Sequence, residues 1–178
     1  MIAELKQRYD ALEAKRQNLF NLLYTLSADQ TTFRIGPHGW SIQMHLEHAI
    51  IAEELIVADM LKSHADGVSD FPAKSPESFQ MVIQALEKDL PVGVPLPELE
   101  PTGNVSLEEL VIRWEKARTG LGQFADRITE AGIKAPVCRH PVAGSLDARE
   151  TMEFMLFHLD HHRRHIQRIR DAFAHRQA

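Results

Sequence analysis

Six of the ten histidines in this 178-residue chain fall in two short stretches, His45 and His48 in one, His158, His161, His162 and His165 in the other. Neutral imidazole is a common ligand for divalent first-row metals. Two imidazoles four residues apart on a helix sit about 40° apart on one face, close enough to meet one ion. His158 with His162 and His161 with His165 both have that spacing. All four fit in an arc of about 100°, so periodicity alone does not choose between the pairs. His48 shares a helical stripe with Met44, Ala52 and Leu55, and His45 lies at the edge of that stripe. A nitrogen from His48 would make a three-nitrogen site with an open coordination position for water or a substrate anion. A metal held by three neutral imidazoles keeps its charge and lowers the pKa of a bound water or thiol, so no protein nucleophile is required. The plainer alternative is one buried, hydrogen-bonded histidine at His48 and a solvated polar face on the later helix.

Little else in the chain competes for a chemical role. The single cysteine, Cys138, forms neither an internal disulfide nor a thiolate metal site, although Arg139 and His140 beside it could depress its pKa. Composition is that of an ordinary globular protein, 44% hydrophobic and 25% charged, which excludes disorder and collagen-like repeats. Of the net charge of -5, residues 161–178 contribute five Arg and one Asp, +4, leaving -9 elsewhere. That pattern is one basic helix end rather than a broad basic face, and nucleic acid is not an expected partner. The most apolar run, residues 49–60, is interrupted by Glu53, Glu54 and Asp59, so no membrane span is expected. Residues 1–9 carry Glu4, Lys6 and Arg8 with no apolar core of a signal peptide, and a cytoplasmic protein is expected.

The elements that must position these histidines are helices. Apolar residues recur with helical spacing from Ile2 through Leu5, Tyr9, Leu12, Leu19 and Leu22 to Leu26, helix one. Gly36, Pro37 and Gly39 mark the connection, and Ser41 caps a second helix running to about Leu61. Residues 63–104 are broken by prolines and read as a crossover outside the core. Within it, Ser75 and Pro76 start a short helix over residues 77–90. Ser106 with Glu109 is a capping box for helix three, to Ile128, and Asp147 with Glu150 is another for helix four, to about Ala174. The loop between them holds Gly132, Pro136, Pro141 and Gly144.

The fold expected is all-α, a four-helix bundle in a single domain over residues 1–178, with a long crossover between helices two and three carrying an extra short helix. Short links make helices one and two antiparallel, and likewise three and four. The crossover lets two and three run parallel, so two and four are antiparallel and His48 can face the helix-four histidines.

The segment Gly39-Trp40-Ser41-Ile42 with His48 eight residues after the Trp, together with Phe157-His158 through His161-His162-Arg163-Arg164-His165-Ile166, resembles the DinB/YfiT-like superfamily of bacterial metal-binding four-helix bundles. The resemblance spans the chain. In that family a Trp-Ser near the start of helix two precedes one ligand histidine, and an H-x-x-x-H-R motif on helix four provides two more. The ligands implied are His48, His158 and His162, with Arg163 after the last. His165 falls where relatives have Gln or His, and His161 matches a frequent extra histidine; with His45 they are assigned to the surroundings of the ligands. The resemblance further implies a divalent ion, zinc or nickel, a homodimer, and a small-molecule substrate. Some relatives activate a low-molecular-weight thiol for transfer and others are called metal-dependent hydrolases.

Around the ligands, Met44, Thr151 and Met155 are expected as pocket walls or plain core, and Trp40 as a hydrophobic plug at the start of helix two rather than a lining of the pocket mouth. Glu47, Glu53, Asp160 or a backbone carbonyl would accept from the ligand imidazoles, with Asp160 expected to point away into solvent. Arg163 and Arg164 are expected to complement the helix dipole. Exposed apolar positions on helix one are the expected dimer interface.

Overall fold

A computed structural model of the protein describes residues 1–66, 76–90 and 93–177. Along the chain run α1 (Ala3–Leu23), α2 (Ala28–Thr32), α3 (Ile42–Asp66), α4 (Pro76–Glu87), a 3-10 turn (Pro97–Leu99), α5 (Leu107–Arg127), β1 (Pro136–His140), β2 (Gly144–Asp147) and α6 (Ala148–Gln177). The chain is mostly helical. Among the described residues no helix is long and apolar enough to cross a membrane.

Capping chemistry sets the helix starts. Ser41 Oγ accepts from the Met44 N–H at 3.2 Å, and Ser106 Oγ from the Glu109 N–H at 3.1 Å. Asp147 and Glu150 make a reciprocal box, each carboxylate accepting from the other's N–H at 3.0 and 3.1 Å. Helix one is shorter than its apolar pattern. It stops at Leu23, and Ser27 with Gln30 forms a second reciprocal capping box that starts α2, whereas Ser106 caps α5 by its hydroxyl alone. The expected cap at Ser75 lies outside the described residues.

Contact order gives the helix directions. Along α3, His45 meets His165, His48 meets His158, and Ala49, Glu53 and Ile56 meet Met155, so α3 and α6 are antiparallel. Gln43 reaches Val105, Glu54 reaches Arg113, and Val57 and Leu61 pack on Gly120, so α3 and α5 run parallel. Tyr9 lies against Gly122, Glu13 pairs with Arg118, and the Phe20 ring meets Trp114 edge-on, so α1 and α5 are antiparallel. The apolar face of α1 (Leu5, Leu12, Leu19, Phe20, Leu23) closes over one continuous core with Leu110, Trp114, Leu121 and Phe124 of α5.

Three expectations are corrected here. The region between α5 and α6 is not simply a loop. β1 and β2 form an antiparallel hairpin, Cys138 opposite Leu146 and His140 opposite Gly144, with an irregularity between Pro136 and Cys138 where proline has no N–H to give. The crossover is not outside the core, because α4 buries Phe79, Ile83 and Leu86 and the 3-10 turn buries Leu99. Leu55 does not share the core stripe of α3; it is 43% exposed. Among the described residues the exposed large apolar side chains, Tyr24, Ile112 and Met81 chief among them, are scattered along the chain.

Candidate metal centre

The α3–α6 seam brings His48, His158 and His162 together at their ring tips. His48 Nε2 lies 3.3 Å from His158 Nε2, and His162 Nε2 lies 3.0 Å from His158 Nε2. His48 and His162 are buried, while His158 keeps a partly exposed surface. Burial pushes the His158 and His162 rings well below their ordinary pKa, and the neighbouring histidines push the same way. Burial also lowers His48, with the Leu99 carbonyl opposing. The rings are therefore neutral near pH 7, the form that ligates metal.

Their protons are constrained as well. The Leu99 carbonyl only accepts, so His48 Nδ1 donates to it at 2.8 Å and the His48 Nε2 lone pair is turned toward the other two rings. His158 Nε2 faces two nitrogens and has at most one proton, which satisfies at most one of them. His162 Nδ1 sits 3.1 Å from His45 Nδ1, and a proton on the His162 side leaves its Nε2 lone pair facing the same point. Three nitrogens about 2.0–2.1 Å from a tetrahedral ion stand about 3.3 Å apart, so both donor type and spacing fit a divalent cation. Together the three residues form a cluster compatible with a metal ion.

Local sequence explains the placement. Gly39 is required because a Cβ there would come within 2.5 Å of the Ile35 carbonyl oxygen, and this tight turn sets Trp40 on the histidines. The Trp40 ring lies 4.9 Å from His48, 5.2 Å from His45 and 6.5 Å from His162, stacked in parallel on the last. Trp40 thus lines the site and is not merely a plug. Gly103, with φ +73°, lets its N–H reach Glu47 Oε2 at 2.7 Å beside the Thr102 hydroxyl, tying the crossover down on α3. That same crossover delivers the Leu99 carbonyl.

The remaining expected neighbours are distributed unequally. His45 is buried between the His162 and His165 rings, and burial pushes it down to about 3. Met155 lines a small cavity against His158 with Ala49, Glu53, Ile56 and Leu159. Met44 is buried beside Gly103, and Thr151 spends its hydroxyl on its own helix, at the Asp147 carbonyl. His161 and His165 do not join the three rings; they meet one another at 3.2 Å and face Asp89.

None of the three carboxylates proposed as acceptors serves the cluster. Glu47 is held by Thr102 and Gly103, and Glu53 by Trp114 and Arg118. Asp160 is not solvated but takes Lys15 Nζ at 2.7 and 2.8 Å. Arg163 and Arg164 lie mid-helix, since α6 runs to Gln177; Arg163 sits near Asp160, and Arg164 donates to the Leu86 carbonyl. Cys138 is 3% exposed and burial pushes its thiol up to about 12, so Arg139 and His140 do not activate it. Sequence reasoning missed Leu99 and Asp89, both on the crossover, and no local motif marked either.

A helical fold with three converging imidazoles on two antiparallel helices defines a class of histidine-cluster α proteins. Within that class the family is specific: the sequence model of the DinB superfamily matches residues 11–166, and the chain belongs to that superfamily. No curated protein and no solved structure gives a match.

Proposed function

We propose that His48, His158 and His162 hold a divalent ion, zinc or nickel, in the four-helix bundle of this family. We further propose that the protein is a cytoplasmic, homodimeric metal-dependent enzyme acting on a small molecule by low-molecular-weight thiol transfer or hydrolysis. The observation that carries this reading is the meeting of three Nε2 atoms, that of His158 lying 3.3 Å from His48 and 3.0 Å from His162, with the His48 atom turned inward by the Nδ1 bond to the Leu99 carbonyl. A cation in such a donor set supplies Lewis acidity, favouring the deprotonated form of a thiol or water at neutral pH. His48 is oriented by Leu99 and His162 by His45, which fixes ring positions before anything binds. Trp40 packs on His48 and His162 of the cluster and on His45 beside it. The partly exposed flank of His158 is the approach for substrate. The inert Cys138 leaves no protein thiol in competition.

The test is elemental analysis of untagged protein purified without chelator, beside His158→Ala and His161→Ala. At least one equivalent of metal is expected in the wild type and one equivalent fewer in His158→Ala, whereas His161→Ala keeps the equivalent that His158→Ala loses; turnover in a screen of thiol-transfer and hydrolysis reactions should follow that equivalent. Metal with no turnover across that screen would point to a binding protein. A wild type that contains and takes up none would leave the histidines a structural role.

A further inference from the structure

The crossover and the end of α4 deliver one acidic group to α6 at a place the first cluster does not use. We propose that Asp89, His161 and His165 form a second divalent-cation site, separate from the His48, His158 and His162 cluster and sharing no residue with it. Asp89 Oδ1 lies 2.9 Å from His161 Nδ1 and 3.3 Å from His165 Nε2, and His165 Nε2 lies 3.2 Å from His161 Nε2. Two imidazoles and one carboxylate are the donor set that holds zinc or iron(II) in open sites.

Two observations point past an ordinary hydrogen-bonded trio. His161 is 9% exposed, yet its Nδ1 and the facing Asp89 Oδ1 are both buried without an aligned hydrogen bond: the atoms are close, but the N–H direction misses the oxygen. The Leu86 carbonyl beside His161 accepts from Arg164 and from the Asp89 N–H and attracts the His161 ring as well, so it is shared among three donors. Glu53 Oε1 and Arg118 Nε are also close without an aligned hydrogen bond, but there two full opposite charges face each other; here a carboxylate faces an imidazole, and a bound ion would satisfy both atoms.

The second is where Asp89 stands. α4 ends with Leu90 N–H on the Ala85 carbonyl and Asp89 N–H on the Leu86 carbonyl, the paired bonds of a Schellman motif. Asp89 occupies the left-handed position, φ 56°, the only non-glycine residue with positive φ among those described. Glycine is the usual occupant, and it would close the helix without strain. Aspartate tolerates the conformation and adds a carboxylate aimed at the i, i+4 pair on α6.

Arg168 explains how the site stands without a cation. Its guanidinium donates to the outer oxygen, Asp89 Oδ2, and at 2.9 Å to His165 Nδ1. Its side chain is 51% exposed, with room to move into solvent when a cation takes over the carboxylate. His45 stacks on His165 at 4.9 Å and reaches His162, so it lies between the two clusters.

The experiment is equilibrium titration of chelator-stripped, full-length protein with Zn2+ and with Co2+, the latter followed by its visible absorption. Wild type, Asp89→Asn, His161→Ala, Arg168→Ala and His158→Ala are compared, with circular dichroism to confirm each fold. Expected are two equivalents in the wild type, the weaker one lowered at least tenfold by Asp89→Asn and by His161→Ala and tightened severalfold by Arg168→Ala. His158→Ala removes the other equivalent. A single wild-type equivalent that survives Asp89→Asn overturns the second site and leaves the first. A single equivalent lost in Asp89→Asn and kept in His158→Ala does the reverse. A second equivalent indifferent to both Asp89→Asn and Arg168→Ala belongs elsewhere on the chain and also overturns the proposal.

Discussion

On one face of α3, Glu53 is 3% exposed and meets Arg118, itself 2% exposed, with Arg118 Nη2 donating to Glu53 Oε2 at 3.0 Å and Nε 2.8 Å from Oε1. The Trp114 indole N–H donates to the same carboxylate at 2.9 Å, and Glu13 comes within 3.3 Å of the guanidinium. Five residues earlier on the same helix, His48 points to two more imidazoles with no opposite charge among them. In the first group each charge is met by an opposite charge from the protein, although Glu53 Oε1, Arg118 Nε and Arg118 Nη1 make no aligned hydrogen bond. The second is completed only by something the chain does not encode. Burial acts on both, raising Glu53 and lowering Arg118 against their mutual attraction, while simply neutralising the histidines. The difference separates a buried group that stabilises a fold from one that is held ready to bind.

Arg118→Ala should have the largest effect, because it leaves Glu53 buried without its partner; a loss of about 3–5 kcal/mol is expected from urea unfolding. Metal uptake by the surviving folded fraction should be unchanged. A loss below about 1 kcal/mol would erase the contrast. His158→Ala should do the opposite, weakening the first metal equivalent at least about 100-fold, or about 2.7 kcal/mol. His45→Phe keeps ring volume but removes the nitrogen that orients His162, and a 10- to 100-fold weaker metal equivalent is expected by competition with a chelator dye.

Acid should act on the neutral histidines and spare the charged pair at first. His140 accepts from the Val142 and Ala143 N–H groups through Nδ1, and burial pushes it down to about 4. Its folded value lies below the unfolded 6.5, so the unfolded chain takes up the proton first. The stability it contributes is complete above pH 6.5 and is lost as pH falls toward 4, by at most about 1.4 kcal/mol per pH unit. Melting temperatures at pH 7, 6 and 5 check this, with a shallower slope expected in His140→Phe. The smallest effect is assigned to Asp147→Ala, about 1 kcal/mol from the lost cap of α6, with metal affinity untouched.

The helices were legible because their signals are local. Ser41, Ser106 and Asp147 cap as their motifs imply, and the Ser27–Gln30 box that ends α1 early carried the same signature. The hairpin was not legible, since Pro136 and Gly144 are turn residues by type and only their pairing across Leu146 and Cys138 makes them strand. Trp40 illustrates the intermediate case. Its position before a cap was readable, but its three ring neighbours come from two helices.

By itself the sequence determined which residues carry metal-type chemistry, that His158 and His162 share a helix face, and that His48 lies near the start of another helix. Periodicity and capping act over four residues, and those facts need no more. Only the tertiary structure decided which helix-four pair meets His48, that the Leu99 carbonyl orients it, and that Asp89 comes to the other pair. Those choices depend on how far α3 slides along α6 and where the crossover lands. Both are set by packing of side chains distant in sequence, which no local pattern encodes.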